Sequence, residues 1–162
     1  MPARLPRKLR LAAMFCDHAV MCFLLIPPLI WLGVGQAPWA FWLLMVFYLN
    51  KDFLKGRSPA KRLFQLQVVD ADGQPANELR CFLRNVTVLF WPVEVLVLFL
   101  GRRTRLGDTL ANTYVSRVAP GAASFWQDVR TYRATRYSLY TLGATFAFLL
   151  LVHVGGTYFF GL

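Results

Sequence analysis

Asp17 and His18 lie inside an apolar run, RLAAMFCDHAVMCFLLIPPLIW, and that carboxylate is the strongest chemical signal in the chain. An ionised carboxylate in hydrocarbon is costly unless it faces protein, water or a positive partner. Two kinds of chemistry follow. Asp17 can bind a cation or relay protons, since burial raises an aspartate pKa and a nearby arginine lowers it. It can equally clamp basic loop residues and hold a cap onto the helices, because a buried ion pair is a poor guide to activity. Arg10 precedes it by seven residues, about 20° round a helix and about 10 Å along it, so the two share a face without pairing. Arg10 is placed to snorkel to headgroup phosphates.

Other residues of this type are Asn50 and Asp52 after a second apolar stretch, Arg84 before a third, and Asp108 beside Arg102, Arg103 and Arg105. Asp17, Asp52, Asp108, Glu94 and several arginines, Arg10 and Arg84 among them, are expected to form one ion-binding or polar cluster. The partner of Asp17 is a Lys or Arg from residues 51–62, Arg84, or the run at residues 102–105. Glu94 follows Pro92 in WPVE. It either lines a permeation path, with a backbone carbonyl freed by the proline, or sits solvated at the apex of a bend. His153 reads as a packing or interfacial histidine. Cys16, Asp17 and His18 are adjacent, so on a helix they fan out by about 100° each and do not converge on one ion. No metal site and no cofactor are expected, and the three cysteines show no disulfide framework.

The elements that must position these residues are set by composition. The chain has 162 residues, 57% hydrophobic and 16% charged, well outside the balance of a soluble domain. Apolar residues gather at 11–34, 37–49, 86–100 and 137–160, and every Lys and Arg falls between these blocks or before the first. That segregation suits a bilayer. The last block has 24 residues without a formal charge. The first follows Arg4, Arg7, Lys8 and Arg10, but is too long for a signal peptide and lacks a cleavage site, so it reads as a retained transmembrane helix.

The basic residues form three clusters, at residues 4–10, 51–84 and 102–136. If positive charge stays inside, all three are cytoplasmic. Blocks one and two then form a hairpin turned at residues 33–36, and the last block ends on the far side. The third block must start and finish on the same side, as a re-entrant or interfacial segment. The other arrangement has it cross and leave Arg102, Arg103 and Arg105 outside. Lys61, Arg62, Arg102, Arg103 and Arg105 are expected to contact lipid headgroups or neighbouring loops.

Between blocks two and three, residues 66–69 alternate as a strand does and DADG at residues 70–73 signals a turn. TYVSRV at residues 113–118 is the comparable stretch, and the two can pair as a small cytoplasmic sheet. Asn77 is placed to cap the following helix. The expected fold is an all-α polytopic membrane protein with three to four membrane segments and this β-pair. Residues 1–118 form the membrane domain, and residues 119–162 form a cytoplasmic linker with one more transmembrane helix.

Arg10, Asp17, KDFLKGRSPAKRLFQLQVVDADG at residues 51–73, Arg84-Asn85 and RLGDTLANTYV at residues 105–115 together resemble the RDD family of bacterial membrane proteins. The resemblance covers roughly residues 10–118. It implies that Arg10 and Asp17 are the family's arginine and first aspartate. The second aspartate falls on Asp108, with Asp52 as the other choice. Ala60 and Gln65 stand where the resemblance leads one to expect glycine more often. It further implies a link to transport, since some relatives are associated with cation/proton exchange.

The net charge of +10 flanks apolar spans, so attraction to anionic lipid headgroups accounts for it without nucleic acid. No HExxH, GxSxG or phosphate-loop motif is present, so an enzyme is not expected. The chain reads as a multi-pass protein of the bacterial inner membrane with its N-terminus in the cytoplasm. It is either a monovalent cation/proton exchanger or a subunit of one, or a membrane scaffold that recruits a partner. The partners expected are the lipid bilayer and either further copies of the chain or another membrane subunit.

Overall fold

A computed structural model describes residues 7–20, 23, 26–31, 33, 38–87, 91–99, 105–118 and 124–160. Along the chain run α1 (Arg7–Ala19), α2 (Ile26–Trp31), α3 (Pro38–Leu49), α4 (Pro59–Leu63), β1 (Leu66–Asp70), α5 (Glu78–Val86), α6 (Trp91–Phe99), α7 (Leu106–Leu110), β2 (Thr113–Arg117), α8 (Phe125–Thr131) and α9 (Arg136–Phe160).

Short polar residues start three of these helices. The side chains of Ser58, Asn77 and Ser124 accept from the backbone N–H of Lys61, Arg80 and Gln127, giving an acceptor to donors that a helix start otherwise leaves unpaired. Pro59 then opens α4, where its missing N–H costs nothing. The expected strand pair forms: β1 and β2 are antiparallel, with Leu66 opposite Arg117 and Asp70 opposite Thr113. The DADG turn closes through Asp70 Oδ1, which accepts from the N–H groups of Asp72 at 3.1 Å and Gln74 at 3.0 Å.

Two backbone positions fix the loop that carries the basic residues. Gly56 has φ +68° and donates no side chain where one would meet the Val68 carbonyl at 2.5 Å. Gln65, where glycine was expected more often, also takes the left-handed region at φ 53°. The backbone shape is therefore kept although the residue type is not.

The last block becomes α9, 25 residues and about 37 Å long. Among the described residues it is the one helix long and apolar enough to cross a membrane. Leu139, Leu142, Phe146, Leu150, Leu151 and Val154 are exposed on it, whereas Ser138, Thr141 and Thr145 are buried. Spacings of three and four put those small polar residues on one face, which packs toward α5 and α3. An apolar outside and a small-residue inside is the arrangement a bilayer favours. The first apolar block, expected as one helix, is instead described as α1 and α2, with part of the intervening stretch outside the described residues. The third block contributes α6, nine residues or about 13 Å, well short of the roughly 30 Å hydrocarbon core.

The centre of the molecule is polar. Arg84, Glu94, Asn85, Asp52, Asp108 and Asp128 are among its largest fully buried side chains, beside Leu49, Leu66 and Val68. Asn85 donates to the Leu49 carbonyl at 3.0 Å, satisfying an orphan at the end of α3 and fastening α5 to it.

Candidate functional site

Asp17, at the last turn of α1, faces the loop between α3 and β1. Lys61 on α4 reaches it: its ammonium lies 3.4 Å from Asp17 Oδ2, 2.6 Å from Asp52 Oδ1 and 3.3 Å from Ser58 Oγ. A lysine has three N–H donors, and here each has an acceptor. Lys61 was expected among headgroup or loop contacts, but it is only 3% exposed and bridges two carboxylates. Asp52 is fully buried. Burial pushes its carboxyl upward, but Lys61, Arg84 and Lys51 outweigh that and hold it well below the usual range.

Lys51 is the second cation at Asp17 and is held differently. Its ammonium stands 3.8 Å from Asp17 Oδ2 and 4.3 Å from the centre of the Tyr48 ring. Among the described residues no acceptor lies within hydrogen-bonding distance of it. Burial pulls its pKa down to about 8, against the opposing charge of Asp17 and with the help of Lys61. A lysine in this state gives up its proton near neutral pH.

The other expected partners of Asp17 go elsewhere. Arg84 on α5 sets its Nε 2.9 Å from Asp108 Oδ1. Arg105, at the start of α7, has Nη1 3.8 Å from Glu94 Oε2 and Nε 4.0 Å from Asp108 Oδ2. Glu94, expected on a permeation path or at the apex of a bend and named with the polar cluster, lies in this group: its Oε1 accepts from Thr87 Oγ1 at 2.6 Å and from the Gly107 N–H at 3.3 Å. Residues 87, 94 and 107 thus meet, so the chain that leaves through α6 comes back to where it started. Gly107 is required here, since a Cβ would overlap the Arg84 carbonyl and come within 2.5 Å of Thr87 Oγ1.

The described side chains form a balanced set: Asp17, Asp52, Glu94 and Asp108 face Lys51, Lys61, Arg84 and Arg105. A buried charge cluster must approach this balance, because each uncompensated charge is strongly unfavourable. Between its two halves lies a void of about 10 Å³ lined by Asp17, Lys61 and Arg105, about the room one water needs. Arg10 lies on α1, but its side chain is outside those described, and Arg102 and Arg103 are outside the described residues altogether.

One half of the cluster opens outward. Asp17, Asn50 and Lys51 line a cavity of about 870 Å³ that Val46, Phe47 and Leu142 also border. Asn50 donates from Nδ2 to the Val46 carbonyl at 2.9 Å and to Thr145 Oγ1 at 3.1 Å. The Thr145 hydroxyl itself donates to the Thr141 carbonyl at 2.8 Å, so both neighbours of Nδ2 are acceptors and the amide orientation is fixed. Asn50 Oδ1 is left buried with no hydrogen-bond partner among the described residues.

A second charge centre, absent from the sequence reading, sits on α8. Asp128 is almost fully buried, with Oδ2 2.7 Å from Arg62 Nη1 and Oδ1 3.1 Å from Lys55 Nζ. Burial pushes this carboxyl up, and the hydrogen bonds from Arg62 and Lys55 more than reverse it, leaving it below the usual range. The signal was present as Ser124-x-x-Gln127, the spacing of a capping box, which marks a helix start directly before Asp128. Tyr132 adds a further tie, donating to Glu78 Oε1 at 3.0 Å.

A sequence model of the RDD family matches residues 7–160. The match runs past residue 118, where the recognisable motifs end, and takes in α8 and α9. No curated protein and no solved structure matches the chain.

Proposed function

The chain belongs to the RDD family of membrane proteins, and on that premise we propose that it exchanges a monovalent cation for protons, with Asp17 as the cation-binding carboxylate and Lys51 as its proton-bearing competitor. The observation that carries this reading is the set of groups on one cavity wall: a carboxylate, a lysine that among the described residues meets that carboxylate and an aromatic ring, and Asn50, whose Oδ1 has no hydrogen-bond partner among the described residues. Oxygen donors of this kind suit a hard monovalent cation.

While Lys51 is charged, its ammonium shares Asp17 Oδ2 with that of Lys61. When it loses its proton, the cation left to Asp17 among the described residues is Lys61, whose ammonium is shared with Asp52 and Ser58. A cation can then bind between Asp17 and Asn50. Binding of the proton and of the cation is mutually exclusive, which is the requirement for exchange. No covalent step is involved, so the protein acts as a transporter and not as an enzyme. In this reading the chain is a multi-pass protein of the bacterial inner membrane with its N-terminus in the cytoplasm. Residues 86–100 re-enter, as the meeting of Thr87, Glu94 and Gly107 supports. The protein works in an assembly of its own copies or with another membrane subunit.

The second reading is a scaffold that recruits a partner, and the fully satisfied Lys61 favours it, because a clamp needs no labile group. Cation-driven proton flux in liposomes containing the purified protein separates the two. Exchange predicts flux in the native protein and its loss in Asp17→Asn at equal reconstitution. Absence of flux in the native protein would leave the scaffold.

A further inference from the structure

The cavity beside Asp17 has a second polar region that ion exchange does not use. Arg57 and Arg62 line it as well, together with Phe47, Phe125 and Leu142. Arg62 spends Nη1 on Asp128 and Nη2 on the Leu54 carbonyl at 3.3 Å, and lies 5.4 Å over the Phe125 ring. Arg57 is less committed. Its Nη2 donates to Gln67 Oε1 at 3.1 Å, while its buried Nε has no acceptor, and no carboxylate lies within ion-pair distance of it among the described residues. Around the single carboxylate of Asp128 stand Lys55, Arg57 and Arg62, so two positive charges are uncompensated.

The volume of about 870 Å³ lies within the range of small-molecule sites, about 300–1,000 Å³. A soluble anion would meet the arginines and leave the apolar walls wet. An uncharged amphiphile would cover the walls and leave Arg57 Nε unmet. Leu142, which shares the cavity with both arginines, lies six residues, or about 9 Å, into the membrane-length helix that begins at Arg136, so the cavity borders the first turns of that helix and not its middle.

We propose that this cavity binds one anionic phospholipid, with its phosphate on Arg57 and Arg62 and an acyl chain against Phe47, Phe125 and Leu142. The site shares a cavity with Asp17 and Lys51 but draws on different cations, so it stands or falls separately from ion exchange.

Native mass spectrometry of the full chain released from detergent micelles tests it, with phosphatidylglycerol and phosphatidylcholine of identical chains as titrants. One phosphatidylglycerol should be retained at least about tenfold more tightly than phosphatidylcholine, since each arginine near the phosphate adds about 1 kcal/mol, or roughly fivefold. Arg57→Gln should lower phosphatidylglycerol binding about fivefold and leave phosphatidylcholine unchanged. Leu142→Trp, which fills the apolar wall and leaves the arginines and Gln67 alone, should weaken both lipids. Inorganic phosphate in millimolar excess should displace neither. Equal retention of the two lipids, a phosphatidylglycerol preference unchanged in Arg57→Gln, native binding of both lipids in Leu142→Trp, or displacement by inorganic phosphate would each overturn the proposal.

Discussion

Two halves of one charge cluster are built from the same residue types and differ in their surroundings. In the first, Arg84, Asp108, Arg105 and Glu94 are enclosed by α5, α6 and α7, with Gly107 letting two backbones approach and the Glu94 carboxylate further held by Thr87. In the second, Asp17 and Lys51 stand on the wall of a large cavity, and Lys51 has one long ion pair and a ring for company. Enclosure makes the first half a clamp, since a buried charge that loses its partner destabilises the fold. The second half borders a cavity, and burial lowers the pKa of its lysine, which is what the proposed exchange draws on. Lys61 belongs to neither type alone, because it is fully bonded yet touches Asp17.

Breaking the closed half should have the largest effect. Arg84→Gln removes a fully buried cation facing Asp108 and Asp52, and should cost about 3–5 kcal/mol, seen as failure to accumulate in the membrane or as a collapse of the thermal midpoint in detergent. Native-like melting of this variant would remove the distinction between the halves. Gly107→Ala should cost about 1–3 kcal/mol, because the new methyl meets the Arg84 carbonyl and backbone cannot yield cheaply. Its melting temperature should fall while any residual flux per folded molecule stays native. Asp128→Asn, outside both halves, should cost about 1–3 kcal/mol by leaving Arg62 without its charged partner. Limited proteolysis should then cut near α8 before any other described segment.

Much of the fold could be read from residue order, for physical reasons that are local. The β-pair, the DADG turn, the Asn77 cap and the apolar α9 depend on alternation, turn chemistry and hydropathy within a few residues. The membrane spans of the first three blocks did not resolve in the same way: α1, α2, α3 and α6 are each shorter than a span, and only α9 reaches that length among the described residues. The cluster was foreseen as a gathering of Asp17, Asp52, Asp108 and arginines, but its pairing was not. Which cation meets which carboxylate depends on contacts 44 residues apart for Lys61 and Asp17, and no periodicity encodes those. Lys61 was expected at headgroups or neighbouring loops and, within residues 51–62, as one candidate partner of Asp17; its contacts with Asp17 and Asp52 follow from Ser58 and Pro59 turning that loop into a helix. Asp128 escaped notice because it lies in a polar stretch that looks like a linker until Ser124 is recognised as a cap.

The pH profile of exchange, compared between the native protein and Lys51→Gln, tests the account most directly. Burial lowers the Lys51 pKa to about 8, so the proposed exchange requires cation binding at Asp17 to be suppressed below that pH and admitted above it. Cation-driven proton flux in native liposomes should therefore rise with a midpoint near pH 8. In Lys51→Gln, which carries no exchangeable proton, cation-driven proton flux should be lost at every pH while cation binding at Asp17 persists at low pH. An unchanged midpoint in the folded variant would contradict the account, because the proton would then reside on another group.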